Sequence, residues 1–423
     1  MLSPINFRDK LFYGWVVVIA FFIIGITLYG IHFSFGVFFK SIESEFNLTR
    51  AATSAILSAN MLLAGVFSFF AGWALDRYGP KVVVLLMGIF TGLSLVLTSQ
   101  VNALWQIFMT YSLLLAMGTG PLYVVPMSAV SRWFDKKRGL ALGLSSLGIG
   151  LGTVIMAPFA TYLITNFDWH TAYLIIGLIA WLIVIPLSRL LKKDPREIGA
   201  LPDGVKSCRQ EVKSKENSIQ LIDSSLWLVF RKRSFWILVS TWFLFASSVF
   251  LVFTHLVPHV TDIGFSAGEA AAVLSLIGMG SIPGRLVMGI ASDRIGRKSA
   301  IIICTLLQSG AMVWLLWARD LWMFYLFALI FGFAHSGLGP SMAAIIGDTF
   351  GLGKIGAIFG LLEVGFGIGA AIGPAIGGLI FDVTGSYSIA FLIVPAAMLL
   401  ATLFIALIRR ETNTNFGSGN TGK

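Results

Sequence analysis

The sequence has 423 residues, of which 57% are hydrophobic and only 12% are charged, about half the charged share of roughly 25% found in soluble domains. The mean hydropathy is +0.87, so a water-soluble fold could not cover this much apolar surface, and we predict a polytopic membrane protein. The formal net charge of +10 does not indicate a nucleic-acid partner, because no basic globular segment interleaved with aromatic residues is present.

Twelve apolar segments are long enough to cross a bilayer, which takes about 20 helical residues. The first segment is longer than the 7–15 apolar residues of a signal peptide, so we expect it to be retained as a helix. These observations predict an all-α membrane protein with twelve transmembrane helices. The predicted spans are about 12–39, 51–75, 81–99, 104–130, 139–166, 171–191, 234–263, 268–292, 298–318, 321–350, 356–383 and 386–408.

Lysine and arginine residues are distributed unevenly between the two sides of the predicted membrane domain. Nearly all of them lie on the side that holds both termini and a long polar segment, whereas the other side has only Lys40, Arg50 and Arg319. Cytoplasmic loops of membrane proteins are enriched in lysine and arginine. We therefore predict a multi-pass protein of the plasma or inner cell membrane with both termini in the cytoplasm.

The long polar segment, residues 192–233, divides the predicted spans into two groups of six. It is rich in Lys, Glu, Ser and Asp, and such a composition has little apolar surface to bury. We predict an N-terminal six-helix bundle at residues 1–191, a cytoplasmic linker at 192–233, and a C-terminal six-helix bundle with a cytoplasmic tail at 234–423.

The two halves share a repeated motif. The sequence GWALDRYGPK, which begins at Gly72 near the end of the second span, returns as GIASDRIGRK, which begins at Gly289 near the end of the eighth span. Glycines of the fifth span recur in the eleventh at the same spacing, which indicates a parallel internal duplication. We expect these glycines to allow close approach of helices; they include Gly148, Gly150, Gly152, Gly365, Gly367 and Gly369.

The paired turns resemble the loop motif of the major facilitator superfamily, and the resemblance covers essentially the whole chain. Phe12-Tyr13-Gly14-Trp15 and the pair Arg285 and Gly289 resemble the monocarboxylate carriers and the oxalate:formate antiporter group within it. The resemblance implies two six-helix bundles that rock around a central site. It also implies a gating role for the charged residues of the turns, Asp76, Arg77, Asp293 and Arg294, of which the aspartates could accept hydrogen bonds from helix N-termini and arginines. The alternative is a solvated charged turn.

Arg285 is the sharpest candidate for substrate binding. An arginine deep in a membrane helix costs roughly 2.5–3.5 kcal/mol on insertion scales, so it usually faces a water-filled cavity or a partner. Its guanidinium is a planar fork that fits a carboxylate. Glu363 lies at a similar depth, so the alternative is a structural ion pair, and the two arrangements could alternate during transport.

Glu363 and His255 are the candidates for proton coupling. Glu363 is the only carboxylate deep in a predicted span, and it could carry a proton or pair permanently with Arg285. Histidine titrates near neutral pH, which makes His255 a candidate for proton transfer and for substrate binding, with His335 and His32 as further candidates. The alternative for each histidine is a packed hydrogen-bonding role.

Tyr123 and Asn60 complete the predicted substrate site. Tyr123 follows a Gly-Thr-Gly-Pro-Leu segment and could donate its hydroxyl across a cavity, and Asn60 lies at a similar depth. The alternative is that these polar groups only join neighbouring helices.

Two departures from the family pattern shape the predicted mechanism. Ser281 stands four residues before Arg285, where eukaryotic monocarboxylate carriers have an aspartate, so any proton must use another group. The eleventh span lacks the lysine of oxalate:formate antiporters, and one fixed positive charge suits a monoanion better than a dianion.

These observations predict a secondary transporter of small monocarboxylates, such as lactate or pyruvate, by proton-coupled symport with alternating access. The alternatives are exchange of organic anions and, in a different class, a non-transporting sensor or scaffold. We expect no enzyme activity, no cofactor and no metal, because the sequence has no nucleophile–base set and no metal-ligand cluster. The expected partners are a small carboxylate, protons and the lipid bilayer, and we expect a monomer.

Overall fold

The computed structural model describes residues 12–134, 138–199, 231–350 and 355–407. Within these ranges all regular structure is helical, and twelve helices are long and apolar enough to cross a membrane. The prediction of an all-α membrane protein with twelve spans is therefore confirmed. Most of the predicted linker, residues 200–230, and the tail from residue 408 onward lie outside the described residues.

The first six spans, numbered in chain order, form one group. Span 4 is divided into five short helices, whereas the other spans consist of one or two helices. Span 1 consists of Tyr13–Phe33 and Phe35–Glu45; span 2 is Arg50–Tyr78, span 3 is Pro80–Thr98, span 4 is Leu104–Trp133, span 5 is Arg138–Asn166 and span 6 is Trp169–Ser188.

The second group begins after a short 3₁₀-helix at Pro195–Ile198. Each of its six spans is a single helix. Span 7 is Arg233–Asp262, span 8 is Ala267–Ile295, span 9 is Arg297–Trp317, span 10 is Leu321–Phe350, span 11 is Ile355–Thr384 and span 12 is Ser388–Ala406. We call the end of the molecule that carries the first residue of span 2 the Arg50 face, and the opposite end, where span 6 ends and span 7 begins, the linker face.

The spans pack as two six-helix bundles. In the first bundle, span 1 packs against span 5 and span 3 against span 6; in the second, span 7 packs against span 11 and span 8 against span 10. The bundles meet where span 2 contacts span 11, where span 5 contacts span 8, and where Phe35–Glu45 contacts span 7.

Glycines allow the closest approaches between the bundles. A Cβ atom built on Gly150 of span 5 would lie 2.8 Å from the carbonyl oxygen of Gly278 in span 8, and one on Gly367 of span 11 would lie 3.3 Å from Cα of Gly65 in span 2. A Cβ atom would clash at Gly150 and would crowd the facing backbone at Gly367, which agrees with the predicted role of these glycines in close helix approach.

The duplicated turns share a backbone conformation. Gly79 and Gly296 occupy equivalent positions and have φ angles of 79° and 90°, a left-handed region in which only glycine avoids strain. The next residue begins spans 3 and 9 respectively. The shared geometry agrees with the internal duplication that the sequence indicates.

Helix breaks interrupt spans 1 and 4. The helix of span 1 is interrupted at Ser34, whose hydroxyl donates to the carbonyl of Ile31 at 2.9 Å. The span extends to Glu45 rather than to the predicted residue 39 because Phe35–Glu45 buries an apolar face. In span 4, a π-helical segment at Phe108–Leu114 and a 3₁₀ turn at Gly120–Leu122 replace regular α-helix. Such segments are frequent at functional sites.

Candidate substrate site

Arg285 lies between the two bundles. It is in span 8, roughly 15 Å along the helix axis from the linker-face end at 1.5 Å per residue, and its side chain is half-buried. Its Nη1 donates a hydrogen bond to the backbone carbonyl of Ser146 in span 5. The contact of Gly150 with Gly278 brings spans 5 and 8 close enough for this bond. The arginine therefore crosses from one bundle to the other.

Two tyrosines of the first bundle face Arg285. Tyr29 of span 1 and Tyr123 of span 4 are half-buried, and each lies within electrostatic range of both Arg285 and Glu363. Tyr123 follows directly after the 3₁₀ turn of span 4, so the break in that helix sets its position. The sequence did not single out Tyr29.

A small cavity of about 20 Å³ extends from the two tyrosines into the first bundle. Tyr29, Tyr123 and Ser146 contribute to its wall, and most other lining side chains are apolar. It lies beside the Arg285 hydrogen bond, and in this conformation it has room for about one water molecule and not for an organic ligand.

Glu363 of span 11 lies on the other side of the interface. Its side chain is half-buried, and its Oε1 accepts one long hydrogen bond of 3.4 Å from Nε1 of Trp242 in span 7. In the described part of the chain no ion pair joins it to Arg285. The ion pair between Arg285 and Glu363, one of the two arrangements that the sequence predicts, is therefore absent from this conformation.

His335 of span 10 also reaches this region. It lies within electrostatic range of Arg285, its ring stacks with Phe245 and Phe331 at centroid distances of 6.1 Å, and its Nδ1 has no hydrogen-bond partner. We call the group formed by these five side chains from both bundles the central cluster: Tyr29, Tyr123, Arg285, His335 and Glu363.

His255 does not belong to the central cluster. It is fully buried near the Arg50 face, with Nε2 2.9 Å from the carbonyl oxygen of Pro374 and Nδ1 3.1 Å from the Tyr387 hydroxyl. A carbonyl only accepts hydrogen bonds, so Nε2 carries the proton and Nδ1 accepts from Tyr387. Burial raises the pKa of Tyr387, which keeps its hydroxyl a donor.

Asn60 also lies apart from the central cluster. It is fully buried in span 2, and its Nδ2 donates to the carbonyl oxygens of Tyr111 and Ser112 at 3.1 and 3.3 Å. These carbonyls belong to the π-helical segment of span 4. A π-helical turn disrupts the regular backbone hydrogen bonds of a helix, and the Asn60 amide supplies donors to two of its carbonyl oxygens. Asn60 thereby joins span 2 to span 4, the helix-joining role that is the alternative prediction for this residue.

A set of charged residues that the sequence did not predict as a site joins the bundles at the Arg50 face. The Arg50 side chain is only 9% exposed. Its Nη1 and Nη2 donate to the two carboxylate oxygens of Asp262 at 2.6 and 3.1 Å. Its Nε donates to Glu43 at 3.2 Å, and Nη1 also donates to the Tyr387 hydroxyl at 2.7 Å.

A second carboxylate from the other bundle caps span 2. Asp382 of span 11 accepts hydrogen bonds from the backbone amides of Arg50 and Ala51, both at 2.9 Å, where an anion is favourable at a helix N-terminus. Lys40 of span 1 adds an ion pair with Asp262 at 2.6 Å. We call this group the Arg50 network; it consists of Lys40, Glu43, Arg50, His255, Asp262, Asp382 and Tyr387.

The predicted gating residues lie at the linker face. Asp293 forms an ion pair with Arg297, the first residue of span 9, so this contact joins two helices of the same bundle. Arg77 is exposed and stacks over Trp73, and Arg294 is exposed. The side chain of Asp76 lies outside the described residues.

Comparison with known proteins agrees with this architecture. The family model of the Major Facilitator Superfamily matches residues 17–290 and 256–421. The chain therefore belongs to the major facilitator superfamily of transporters, as its sequence motifs predict.

Its similarity to curated relatives is more specific. Monocarboxylate transporter 13 of Bos taurus is 26% identical over 397 residues, which cover 92% of this chain and 87% of that protein. Monocarboxylate transporter 11 of Homo sapiens is 27% identical over 410 residues, which cover 93% of this chain and 82% of that protein. The chain is thus a multi-pass membrane transporter related to the monocarboxylate transporters.

Two solved structures share the fold. A D-xylose-proton symporter superposes with a TM-score of 0.72 at 15% identity, covering 93% of this chain and 97% of that one. A bacterial homologue of the human lysosomal transporter Spinster, in an inward-facing and unoccupied conformation, gives 0.67 at 16% identity and covers 94% and 95% of the two chains. At these identities the likeness concerns the fold alone.

Proposed function

We propose that this protein is a secondary active transporter of small monocarboxylates, of the size of lactate or pyruvate, that works by proton symport and alternating access. One observation carries the proposal: Arg285 lies half-buried between the bundles with a single hydrogen bond, to a backbone carbonyl. The names of the relatives, monocarboxylate transporters 11 and 13, support the same substrate class.

Arg285 binds the substrate carboxylate in this proposal. A guanidinium has five N–H donors, and the bond to Ser146 uses one of them, so the fork can still bind a carboxylate through two parallel charge-assisted hydrogen bonds. Tyr123 and Tyr29 lie beside it as hydroxyl donors for the other oxygen atoms of the substrate. Bound substrate neutralises the charge before the bundles move.

Glu363 carries the proton in this proposal, because it belongs to the central cluster and has only one weak hydrogen bond. Protonation removes its charge while the substrate neutralises Arg285, so the loaded cavity has no net charge. His255 is the other candidate for proton coupling; it lies at the Arg50 face, where its hydrogen bonds must rearrange before its ring can take up a second proton.

The Arg50 network closes one end of the transport path in this proposal. From the distribution of lysine and arginine, we assign the Arg50 face to the outside of the cell and both termini and the linker to the cytoplasm of a plasma or inner membrane. The network must break for the outward-open state to form. The duplicated turns at Asp76, Arg77, Asp293 and Arg294 would then gate the cytoplasmic side of a monomer.

Uptake of labelled lactate into proteoliposomes tests this function. Wild-type uptake should rise when the outside is acidic, and Arg285→Gln should reduce uptake at least about 100-fold, because two charge-assisted hydrogen bonds at roughly 1.5–3 kcal/mol each are lost. The matched control is Arg319→Gln, a change of an exposed arginine far from the central cluster, which should behave as wild type.

The results separate the alternatives. Undiminished uptake by Arg285→Gln contradicts the substrate assignment. Rapid counterflow of lactate without any response to a pH gradient contradicts symport and favours anion exchange. A failure of the wild-type protein to move any carboxylate contradicts transport and favours a sensor or scaffold.

A further inference from the structure

A groove between three spans lies on the outer side of the second bundle. Its volume is about 460 Å³, and residues of spans 7, 11 and 12 line it. On span 7 the lining residues include Trp236, Ser240 and Leu244, which are four residues apart and therefore share one side of the helix. Trp242, which donates to Glu363 of the central cluster, lies two residues beyond Ser240, nearly the opposite side at about 3.6 residues per turn. The groove is therefore separate from the central cluster.

The packing of the three helices explains why the groove exists. Gly365 of span 11 lines it, and a Cβ atom built on Gly365 would lie 3.0 Å from Cγ1 of Val239 in span 7. Span 12 contacts span 7 near the Arg50 face, where the ring centroids of His259 and Phe391 are 4.9 Å apart. Near the linker face, by contrast, Phe404 of span 12 lines the groove. The space between spans 7 and 12 therefore widens toward the linker face, and span 11 forms the back of the groove.

The groove is apolar and opens toward the bilayer. Among the described residues, those that line it carry no charge, and Ser240 contributes a hydroxyl. Trp236 is 54% exposed and Leu400 of span 12 is 42% exposed. Both belong to membrane spans, so the surface that they expose faces lipid rather than water. The volume of the groove lies within the range of roughly 300–1,000 Å³ that is typical of ligand pockets, so a hydrocarbon chain can occupy it.

Two basic residues stand at the linker-face end of the groove. Arg233 is the first residue of span 7, and Lys232 directly precedes it. They come three and four residues before Trp236, the spacing of neighbours on one side of a helix. Arg233 is exposed, and in the described part of the chain its guanidinium forms no ion pair. Basic residues at the membrane surface attract anionic headgroups, and the N-terminus of a helix adds to the positive potential.

We propose that this groove binds one phospholipid of net negative charge, with an acyl chain between spans 7 and 12 and the phosphate at Lys232 and Arg233. The apolar wall accepts the chain of any phospholipid, and the two basic residues select the headgroup. Trp236 lies between these two parts, at the level of the membrane interface where tryptophan is enriched. None of the five residues of the central cluster lines the groove, so the site is independent of the proposed function.

Quenching of tryptophan fluorescence by brominated lipids tests the site, because a bromine atom quenches a tryptophan that it contacts. The signal of Trp236 is the difference between the wild type and Trp236→Phe, both reconstituted in phosphatidylcholine bilayers. Phosphatidylglycerol brominated in its acyl chains should quench this signal at a roughly 25-fold lower mole fraction than phosphatidylcholine brominated in the same way, since each basic residue contributes about five-fold. Equal quenching by the two lipids overturns the proposal. Absence of quenching by either lipid also overturns it, because protein would then cover the groove.

Arg233→Gln tests the headgroup contact. The preference for phosphatidylglycerol should fall about five-fold, and Lys232→Gln combined with Arg233→Gln should remove it. The matched control is Arg189→Gln, a change of an exposed arginine that directly follows span 6 at the same face, and it should keep the full preference. A preference that persists in the double variant, or that falls equally in the control, overturns the assignment. The comparison of the two lipids on the wild type decides the proposal even if a variant does not fold.

Discussion

The Arg50 network and the central cluster both place charged side chains between the two bundles, but they differ in how well their polar atoms are partnered. Arg50 uses Nε, Nη1 and Nη2 in hydrogen bonds with Glu43, Asp262 and Tyr387. Arg285 makes one bond, Glu363 accepts one long bond, and His335 Nδ1 has none. The polar groups of the first region are partnered within the protein, whereas Arg285, Glu363 and His335 keep unused hydrogen-bonding capacity in this conformation.

This difference predicts two kinds of mutational effect. A buried ion pair adds little net stability, but removal of one partner costs about 3–5 kcal/mol because a charge is left buried and unpaired. When the Arg50 face opens, water solvates the same charges, so the cost applies only to the closed conformation. Changes in the Arg50 network should therefore alter the conformational equilibrium, and changes in the central cluster should alter substrate binding.

Arg50→Ala should have the largest conformational effect. It removes the bidentate bonds to Asp262, which is 30% exposed and keeps its ion pair with Lys40, so we expect the closed state to lose about 1.5–3 kcal/mol, a roughly 10- to 150-fold shift in the equilibrium. Spin labels at Ser44 and Asp320, on opposite bundles at the Arg50 face, should report a longer distance in double electron–electron resonance than they do without the substitution. Arg319→Ala is the control, and an unchanged distance distribution in Arg50→Ala would show that the network does not hold this face closed.

Arg285→Lys should have the next largest effect, and this effect should concern transport and not the conformational equilibrium. Lysine keeps the charge but loses the planar fork that binds a carboxylate in bidentate fashion, so we expect kcat/KM for lactate to fall about 10- to 50-fold, the loss of one charge-assisted bond. The spin-label distances at the Arg50 face should stay as in wild type. A changed distance with normal kcat/KM would reverse the roles that we assign to the two regions.

Tyr387→Phe should have a smaller conformational effect. It removes the hydroxyl that accepts from Arg50 and donates to His255, at a cost of about 1 kcal/mol, or roughly a five-fold shift toward opening. The KM for lactate should stay within two-fold of wild type in the same proteoliposomes. A large rise in KM would mean that substrate contacts this hydroxyl.

Tyr123→Phe should have the smallest effect of the four. One neutral hydrogen bond to substrate is worth about 0.5–1.5 kcal/mol, so we expect KM for lactate to rise about three-fold, with an unchanged maximal rate. Tyr162→Phe, on an exposed position of span 5, is the matched control. No change in KM would remove Tyr123 from the site.

The sequence was sufficient for the architecture because the bilayer imposes strong rules. Span number follows from apolar length, and the duplication follows from repeated turns whose glycines have positive φ angles in both copies. Arg285 could be predicted as a functional residue because a lone charge in a long apolar segment is costly to insert into the membrane and is usually retained for function.

The sequence could not predict that His255 and Asn60 lie away from the central cluster. A helix that is apolar all round has no periodicity to indicate which side faces its neighbours. The sequence therefore predicts the depth of each residue along its span but not the direction in which its side chain points. Arg50 and Asp262 are 212 residues apart, and nothing local in either segment indicates the partner. The scarcity of lysine and arginine on that side, Lys40, Arg50 and Arg319, was the one signal that could have indicated the network.

Equilibrium binding of lactate to the purified protein in nanodiscs tests the central claim most directly. Isothermal titration calorimetry should detect saturable binding to the wild type and to Arg50→Gln, with dissociation constants within about ten-fold of each other, and no saturable binding to Arg285→Gln. Retained lactate binding by Arg285→Gln, or its loss in Arg50→Gln alone, would contradict the assignment of the central cluster as the substrate site.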